Sequence, residues 1–287
     1  VILIILNLSS IYFIIFTGLV SFFSLITLFS LEDQIKEEKN TLTEKEIRRF
    51  MRIWLQTLVP PAVTMSLYFV IFGSLIGPRI GQMNGIDYIQ FMIPGLIMLA
   101  VITSSYSNVV SSFFGVKFQR SIEEILISPM PNIIILIGFI IGGTARGIIV
   151  GFLVFLVSLF FYPEFKIVDP LLTINVLVLT AILFSIMGFL NAIYADSFDD
   201  ITIVPTFVLT PLIYLGGVFY SITILPQFWQ NVSLANPMLY VVNTFRQGML
   251  GESDISVSFS LMMMIFFITL LSVLSLYLLK KGTGIRE

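Results

Sequence analysis

Long apolar runs separated by short polar turns dominate the pattern of this chain. About 20 consecutive apolar residues are enough for a helix to cross the hydrocarbon core of a bilayer. Six segments reach or approach this length and are predicted to be transmembrane helices: 60–76, 88–114, 133–161, 170–194, 201–220 and 257–279. The pattern therefore predicts an all-α membrane protein whose core is a six-helix transmembrane bundle.

Residues 1–30 form a further apolar window ahead of this core. Three interpretations are open: the segment crosses the membrane as an extra N-terminal hydrophobic helix, it lies along the interface, or the start of the sequence is misassigned. A charged linker follows. We therefore divide the chain into an atypical hydrophobic segment plus linker, residues 1–42, and a transmembrane domain, residues 43–287.

The first element of the transmembrane domain is predicted to be an amphipathic helix. Thr43 as N-cap and Glu46 three residues later have the spacing of a capping box. Apolar residues recur on one face and arginines occupy the other: Ile47, Phe50, Met51, Trp54 and Leu58 against Arg48, Arg49 and Arg52. Arginines on the polar face and a Trp at its rim are typical of an interfacial helix on the membrane surface. The alternative is the packed first turns of a longer helix.

The composition indicates that lipid is the solvent for much of the chain. Hydrophobic residues make up 57% of the sequence and charged residues 11%, whereas a soluble domain has about 25% charged residues. The net charge of −2 without a basic block excludes nucleic acid as an expected partner. The sequence contains neither Cys nor His, so zinc sites, thiol chemistry and His-based catalysis lose their usual residues.

The distribution of Lys and Arg predicts which loops face the cytoplasm. Eleven of the 15 basic residues fall on the side that holds both ends of the six-helix core: Lys36, Lys39, Lys45, Arg48, Arg49, Arg52, Lys117, Arg120, Lys280, Lys281 and Arg286. The opposite loops contain only Arg79, Lys166 and Arg246. Both ends of the core are therefore expected to be cytoplasmic.

The cytoplasmic segment 117–129 is predicted to be a short amphipathic helix that ends at a proline. Its two faces are Phe118, Ile122, Ile125 and Leu126 on the apolar side, and Arg120, Glu123 and Glu124 on the polar side. Such a helix suits the docking of a soluble partner. A solvated connector explains the same residues.

The outer segment 221–251 contains apolar stretches too short to cross the membrane. They are punctuated by Pro226, Trp229, Pro237, Tyr240 and Arg246. Stretches of this length suit half-helices that form a re-entrant hairpin in the outer leaflet. An aromatic belt at the end of a span is the alternative, but it explains the prolines less well.

Arg146 lies deep in the third predicted span, where an unpaired Arg costs about 2.5–3.5 kcal/mol even on the mildest scale. We expect it to face the bundle or a wet cavity. Nearby glycines should let a neighbouring helix approach closely: Gly138, Gly142, Gly143, Gly147 and Gly151. The role of Arg146 is either structural, held by carbonyls or a carboxylate, or part of a substrate pathway or gate.

Two kinds of energy-coupling group are missing from the sequence. No phosphate loop of the form Gly-x-x-x-x-Gly-Lys-Ser/Thr occurs, so nucleotide hydrolysis by that route is not expected. No carboxylate lies in the middle of a predicted span, which weighs against a proton- or sodium-coupled carrier.

Several motifs resemble those of the ABC-2 type transporter permeases of bacteria. The resemblance covers about residue 44 to the C-terminus and is densest in PLIYLGGVFY at 211–220. The other motifs are KEIRRF at 45–50, WLQT at 54–57, PP at 60–61, PG at 94–95, the segment 118–131, DD at 199–200, PTF at 205–207, LP at 225–226, NP at 236–237 and FR at 245–246.

The resemblance implies a permease subunit of an ATP-binding cassette exporter without an ATPase site of its own. The segment 43–54 would be the interfacial connecting helix, and 221–251 the re-entrant outer hairpin. A coupling helix starting at residue 118 would fit a cleft in a separate ATPase subunit, beginning with Phe118, Gln119, Arg120, Ser121, Ile122, Glu123 and Glu124. ATP and Mg would be bound by that partner, and no cofactor by this chain.

Two such permeases would form a homodimer around a pathway in the bacterial inner membrane, surrounded by lipid, and would export a drug, lipid or glycan. A secondary transporter, a membrane enzyme and a structural assembly protein are the alternatives. An enzyme would need a cluster of acidic residues, and the only candidate is the turn containing Asp196, Asp199 and Asp200. We interpret that turn as a solvated loop that leads into a helix N-terminus.

Overall fold

The computed structural model describes residues 33–122, 130–282 and 284. Its helices are α1 (Asp33–Arg52), α2 (Trp54–Ile80), α3 (Tyr88–Phe118), α4 (Asn132–Phe161), α5 (Pro170–Tyr194), α6 (Asp200–Leu215), α7 (Gln227–Leu234), α8 (Pro237–Leu250) and α9 (Val257–Lys281). Two short antiparallel strands, β1 (Gln82–Met83) and β2 (Ile86–Asp87), connect α2 to α3. The predicted extra N-terminal helix lies outside the described residues.

Five helices, α2, α3, α4, α5 and α9, are long and apolar enough to cross a membrane. They confirm the all-α membrane class and correspond to five of the six predicted spans. The predicted span 201–220 contains a shorter helix, α6, which ends at Leu215. Two prolines lie within α6, its turn Val204–Leu209 is π-helical, and Gly217 just beyond it has a φ of +74°. Prolines and a left-handed glycine are the usual causes of an interrupted and terminated helix.

The core of the bundle is formed by α3, α4 and α5, which pack along one another. In the most apolar window of α3, 78% of the residues are buried, compared with 17% in α2 and 28% in α9. Helices α2 and α9 therefore lie at the periphery, and large apolar side chains such as Leu67, Leu75 and Met262 are exposed on them. Such a distribution suits a chain whose outer surface faces lipid.

The glycines of α4 form two separate packing rows, which confirms the close approach predicted for them. A Cβ at Gly138 would lie 2.6 Å from Leu42 Cδ2, and one at Gly142 would lie 2.7 Å from Glu46 Cβ, both in α1. On another face, Gly147 packs against Ser105 of α3, and Gly151 against Val101 of α3. The small residues thus let α4 touch α1 on one side and the core helix α3 on the other.

The N-cap predicted at Thr43 is wrong. Helix α1 already includes Asp33, so Thr43 lies in the helix interior and its hydroxyl cannot cap the first turn. Half of the ten residues ahead of it, 33–42, are Glu, Lys or Gln, which are good helix formers. They extend the helix by about three turns beyond the predicted start.

Candidate functional site

A cavity of about 420 Å³ lies between α2, α3, α4 and α6 and is open on one side. Its lining combines polar side chains with apolar and aromatic ones. The polar lining includes Gln56, Ser104, Ser107 and Arg146, and the apolar lining includes Met65, Tyr68, Leu99, Ile213 and Tyr214. A cavity of this size is within the usual range of small-molecule sites, about 300–1,000 Å³.

Arg146 reaches this cavity from α4, as expected for a charge within an apolar span. Its Nη2 donates a hydrogen bond to the carbonyl oxygen of Thr57 at 3.2 Å. Its Nε is buried and has no hydrogen-bond partner among the described residues. The carbonyl contact fits the structural interpretation and the cavity fits the pathway interpretation, so the functional role of Arg146 stays a prediction.

A buried polar network joins α1 to α3. Glu46 is 1% exposed, accepts a hydrogen bond from Ser112 Oγ at 2.5 Å and lies 3.4 Å from Arg49 Nε. Arg49 Nη2 in turn donates to the backbone and side-chain oxygens of Asn108, each at 2.9 Å. Helix α1 is therefore fastened to α3 by hydrogen bonds from both members of an ion pair that lies within α1.

The remaining residues of the predicted interfacial helix divide between packed and exposed positions. Phe50 is fully buried, whereas Arg48 is exposed and paired with Glu44 of the preceding turn. Arg52 and Trp54 are also exposed, and α1 ends between them at the bend around Ile53. The prediction that Arg49 belongs to the polar face is wrong, because its partner Asn108 lies on α3. The i, i+4 polar pair Asn108 and Ser112 within apolar α3 was the available sequence signal for this network.

The segment predicted as a helix from Phe118 begins differently. Phe118 is the last residue of α3, Gln119 and Ser121 lie in a turn, and Arg120 has a φ of +59°. A left-handed residue after a helix ends it, so the predicted helix cannot start at Phe118. Ile122 is buried, and Glu123 and Glu124 lie outside the described residues.

An exposed aromatic pair stands beside this turn. Phe118 is 61% exposed and packs edge-to-face on Phe198, which is 56% exposed, with ring centroids 4.9 Å apart. Lys117 fixes the relative position of the two rings, because its Nζ donates to the carbonyl oxygens of Ile193 at 3.0 Å and Ala195 at 2.6 Å, at the end of α5. Phe198 was not singled out from the sequence.

The acidic turn next to Phe198 has the predicted character. Asp200 Oδ2 accepts hydrogen bonds from the backbone N–H groups of Asp196, at 3.0 Å, and Ser197, at 2.8 Å. Asp196, Asp199 and Phe198 are exposed, and Asp200 is the first residue of α6. The carboxylates therefore organise a surface turn at a helix N-terminus.

Helices α7 and α8 are two short consecutive helices at the other end of the molecule. Pro226 precedes α7, and Pro237 is the first residue of α8. Trp229 in α7 is 46% exposed, while most of α8 is buried. Tyr240 Oη donates a hydrogen bond to the carbonyl oxygen of Leu234 at 2.6 Å and so holds the two helices together. Both helices are too short to cross a bilayer.

Arg246 of α8 is buried, which the sequence did not indicate. It is 1% exposed, its Nη2 donates to the carbonyl oxygen of Gly217 at 2.6 Å, and its guanidinium carbon lies 3.9 Å from the ring centroid of Phe91. The side chain therefore ties α8 to α3 and to the loop after α6. Cation–π stacking on Phe91 adds to the hydrogen bond.

Asp254, between α8 and α9, gathers the loops at this end. Its carboxylate accepts hydrogen bonds from Ser221 Oγ at 2.9 Å, from the Ile222 N–H at 3.3 Å and from Asn84 Nδ2 at 3.3 Å. Its own N–H donates to Asn243 Oδ1 at 3.1 Å. A single Asp in a short polar linker carries no sequence signal, so this role was not predicted.

Comparison with known proteins assigns the family. Residues 37–250 match the ABC-2 type transporter family model, from within α1 to the last residue of α8. The chain belongs to the ABC-2 type transporter family. This confirms the resemblance found in the sequence and makes the protein a membrane permease of an ABC transporter.

Relatives of this ABC-2 permease include a bacterial transport protein of similar length. The inner membrane transport permease YadH of Escherichia coli strain K12 is 54% identical over 243 residues, which cover 85% of this chain and 94% of that protein. Nodulation protein J of Rhizobium meliloti strain 1021 is 24% identical over 188 residues, covering 65% of this chain and 71% of the relative. Nodulation protein J of Rhizobium leguminosarum bv. viciae is 23% identical over 227 residues, covering 75% of this chain and 83% of the relative.

Proposed function

We propose that this ABC-2 permease is the membrane-spanning subunit of an ATP-driven exporter in the inner membrane of a bacterium. A separate ATPase subunit would bind ATP and Mg, and this chain would form the pathway. The family assignment and the 54% identity to an inner membrane transport permease of Escherichia coli support this proposal. The cargo would be a drug, lipid or glycan.

The open, partly polar cavity is the observation that carries the proposal. It brings Arg146, Gln56, Ser104 and Ser107 together among helices that otherwise present apolar surfaces. Polar and ionisable groups inside a membrane are expensive and usually line a water-filled path or a binding site. The cavity would therefore be one protomer's part of the translocation pathway.

A second copy of the chain would close the open side of this cavity. Without a cover, hydroxyl, amide and guanidinium groups would face hydrocarbon, where an unsatisfied polar group costs several kcal/mol. The neighbouring surfaces of α2 and α6 are apolar and exposed, with Val63 at 53% and Phe207 at 74%. Two such surfaces facing each other would give a homodimer with a shared central path.

We propose that α6 is the sixth crossing. At about 1.5 Å per residue it rises roughly 24 Å, somewhat less than a hydrocarbon core of about 30 Å. The short rise would be accommodated by local thinning of the bilayer or by the loop that follows. This topology puts both ends of the core in the cytoplasm, in agreement with the excess of Lys and Arg on that side, and makes α7 and α8 the outer re-entrant hairpin.

The docking surface for the ATPase would include the aromatic pair Phe118 and Phe198. Exposed phenylalanine is expected at a lipid-facing position, but these two rings stand beside Lys117, Arg120 and Asp196, where the surface is charged. An apolar pair in a charged, aqueous region is typical of a protein-binding surface. Closure of the ATPases around ATP would push this surface and switch the pathway between inward-open and outward-open states.

Copurification tests the proposal. The tagged chain is isolated from its native membrane in mild detergent, and the proteins retained with it are identified and quantified. We expect a near-stoichiometric ABC-type ATPase with the wild-type chain and a large loss of it with the double variant Phe118→Ala/Phe198→Ala. Phe160→Ala is the matched control. Phe160 is also exposed, at 86%, but it lies near the C-terminal end of α4, away from the aromatic pair.

The same preparation can overturn the proposal. A chain that copurifies with no ATPase and still transports after reconstitution into vesicles would be a secondary transporter. Full retention of the ATPase by the double variant would leave the exporter proposal intact and reject the aromatic docking surface.

A further inference from the structure

The charged residue of the cavity lining, Arg146, lies toward one end of the cavity. Gly147 packs against Ser105, so the neighbouring Arg146 lies at the level of Ser104 and Ser107 on α3. Leu99 lines the cavity two turns further along α3, about 12 Å from Ser107. The aromatic residues Tyr68 and Tyr214 accompany the apolar part. One end therefore offers a cation, and the remainder offers rings and aliphatic surface interspersed with the hydroxyl groups of Thr64, Thr103 and Thr210.

The positive charge at the polar end has no acidic partner within the described residues. The described part of the chain contains three ion pairs: Arg48 with Glu44, Arg49 with Glu46, and Lys117 with Asp196. Arg146 belongs to none of them; its Nη2 donates to the neutral carbonyl of Thr57, and its buried Nε lacks a partner in this part of the chain. A partly buried charge within a membrane-spanning helix is costly unless an opposite charge pairs with it.

Building on the proposed pathway, we propose that the cavity binds an amphipathic anion as cargo, with its phosphate or carboxylate headgroup at Arg146. Guanidinium groups pair with these oxyanions through two parallel charge-assisted hydrogen bonds, which are stronger in a low-dielectric site. The apolar part of the cargo would lie along Met65, Leu99 and Ile213, between the two tyrosines. The cargo thus belongs to the class of anionic lipids or lipid-linked anions rather than cationic drugs.

The test measures binding to the full-length chain in phosphatidylcholine nanodiscs, together with the ATPase that copurifies with it. Three probes separate charge from chain: dodecyl phosphate, dodecyltrimethylammonium with the same chain and the opposite charge, and inorganic phosphate without a chain. Empty nanodiscs correct for partitioning into lipid. We expect saturable binding of dodecyl phosphate, and little of the other two probes.

Arg146→Gln is the decisive variant, because it keeps a polar side chain in the cavity lining while the charge is lost. We expect it to weaken dodecyl phosphate binding about tenfold or more, since a hydrogen bond to a charged group contributes roughly 1.5–3 kcal/mol. Arg146→Lys, which keeps the charge, should retain most of the binding. Arg79→Gln is the matched control, because Arg79 is an exposed arginine outside the cavity.

Three results would overturn the inference. They are equal binding of the cationic probe to the wild-type chain, equal binding of inorganic phosphate alone, and unchanged affinity in Arg146→Gln. The first two comparisons use only wild-type protein, so they remain decisive even if the variant does not fold. Retention of the ATPase together with a failure of anion selectivity would reject the cargo class and leave the exporter proposal standing.

Discussion

The carboxylate of Glu46 in α1 accepts a 2.5 Å hydrogen bond from the hydroxyl of Ser112 in α3, inside the bundle. Along α3, Ser112 lies between the cavity-lining residues Ser104 and Ser107 on one side and Phe118 of the aromatic pair on the other. A single rigid helix therefore connects the cavity, the anchor of α1 and the proposed docking surface. We expect a displacement of Phe118 to be transmitted along α3 to the cavity.

The first prediction concerns this anchor. Glu46→Ala removes the buried acceptor of the Ser112 hydroxyl and the partner of the partly exposed Arg49, and loss of a hydrogen bond to a charged group costs about 1.5–3 kcal/mol. We expect a clearly lower midpoint of thermal unfolding for the purified protein in detergent. Glu44→Ala is the control, because the Glu44–Arg48 pair is exposed and should contribute less than about 1 kcal/mol. Equal midpoints for the two variants would contradict a structural role of Glu46.

The positions of the five long helices could be predicted from the sequence because lipid imposes a simple requirement. A helix must present about 20 apolar residues to cross, and this signal is local and strong. The early end of α6 could not be predicted in the same way. A count of consecutive apolar residues contains no information on the left-handed conformation of Gly217 or on the π-helical turn that contains Pro205.

The candidate site was partly predictable for a related reason. Arg146 stands out as a lone charge in an apolar run, so local sequence is sufficient to identify it. The Glu46–Ser112 and Arg246–Gly217 contacts join residues far apart in the chain, and no local pattern indicates which partners meet. Phe198 was missed because its exposed position beside Phe118 depends on how the ends of α3 and α5 pack.

The second prediction uses the tight approach of α5 to α3. A Cβ at Gly188 would lie 2.5 Å from the backbone oxygen of Tyr106, and 3.3 Å from the Tyr106 carbonyl carbon. Because backbone atoms cannot rotate away, Gly188→Ala should force the helices apart and cost roughly 1–3 kcal/mol. Detergent-solubilised yield and the midpoint of thermal unfolding measure the effect.

Gly115→Ala provides the control for this substitution. Gly115 is also helical, but a Cβ there would meet no atom within 4 Å among the described residues. Since Ala favours a helix over Gly by about 0.5–1 kcal/mol, this variant should be neutral or slightly more stable. A stable Gly188→Ala protein would show that α3 and α5 are packed less closely than described.

The third prediction concerns the loops held by Asp254. Asp254→Ala removes the acceptor for Ser221 Oγ, Asn84 Nδ2 and the Ile222 N–H. We expect faster hydrogen–deuterium exchange in peptides covering 221–225, with no change in α4. Glu252→Ala tests whether any lost carboxylate has this effect, because Glu252 is an exposed residue of the same linker. Identical exchange in the wild type and in Asp254→Ala would mean that other contacts hold the loop.

The last prediction separates charge from shape at Arg246. Arg246→Met leaves the Gly217 carbonyl without its donor and removes the stacking on Phe91, so we expect a loss of roughly 1–3 kcal/mol from the hydrogen bond alone. Arg246→Lys keeps the charge but lacks the planar group that lies over the ring. We expect its stability to lie between that of Arg246→Met and that of the wild type. Thermal unfolding of both variants, with exposed Arg79→Met as control, measures the two contributions. A Lys variant as stable as the wild type would show that a cationic hydrogen-bond donor is sufficient at this position and that the planar guanidinium is not required.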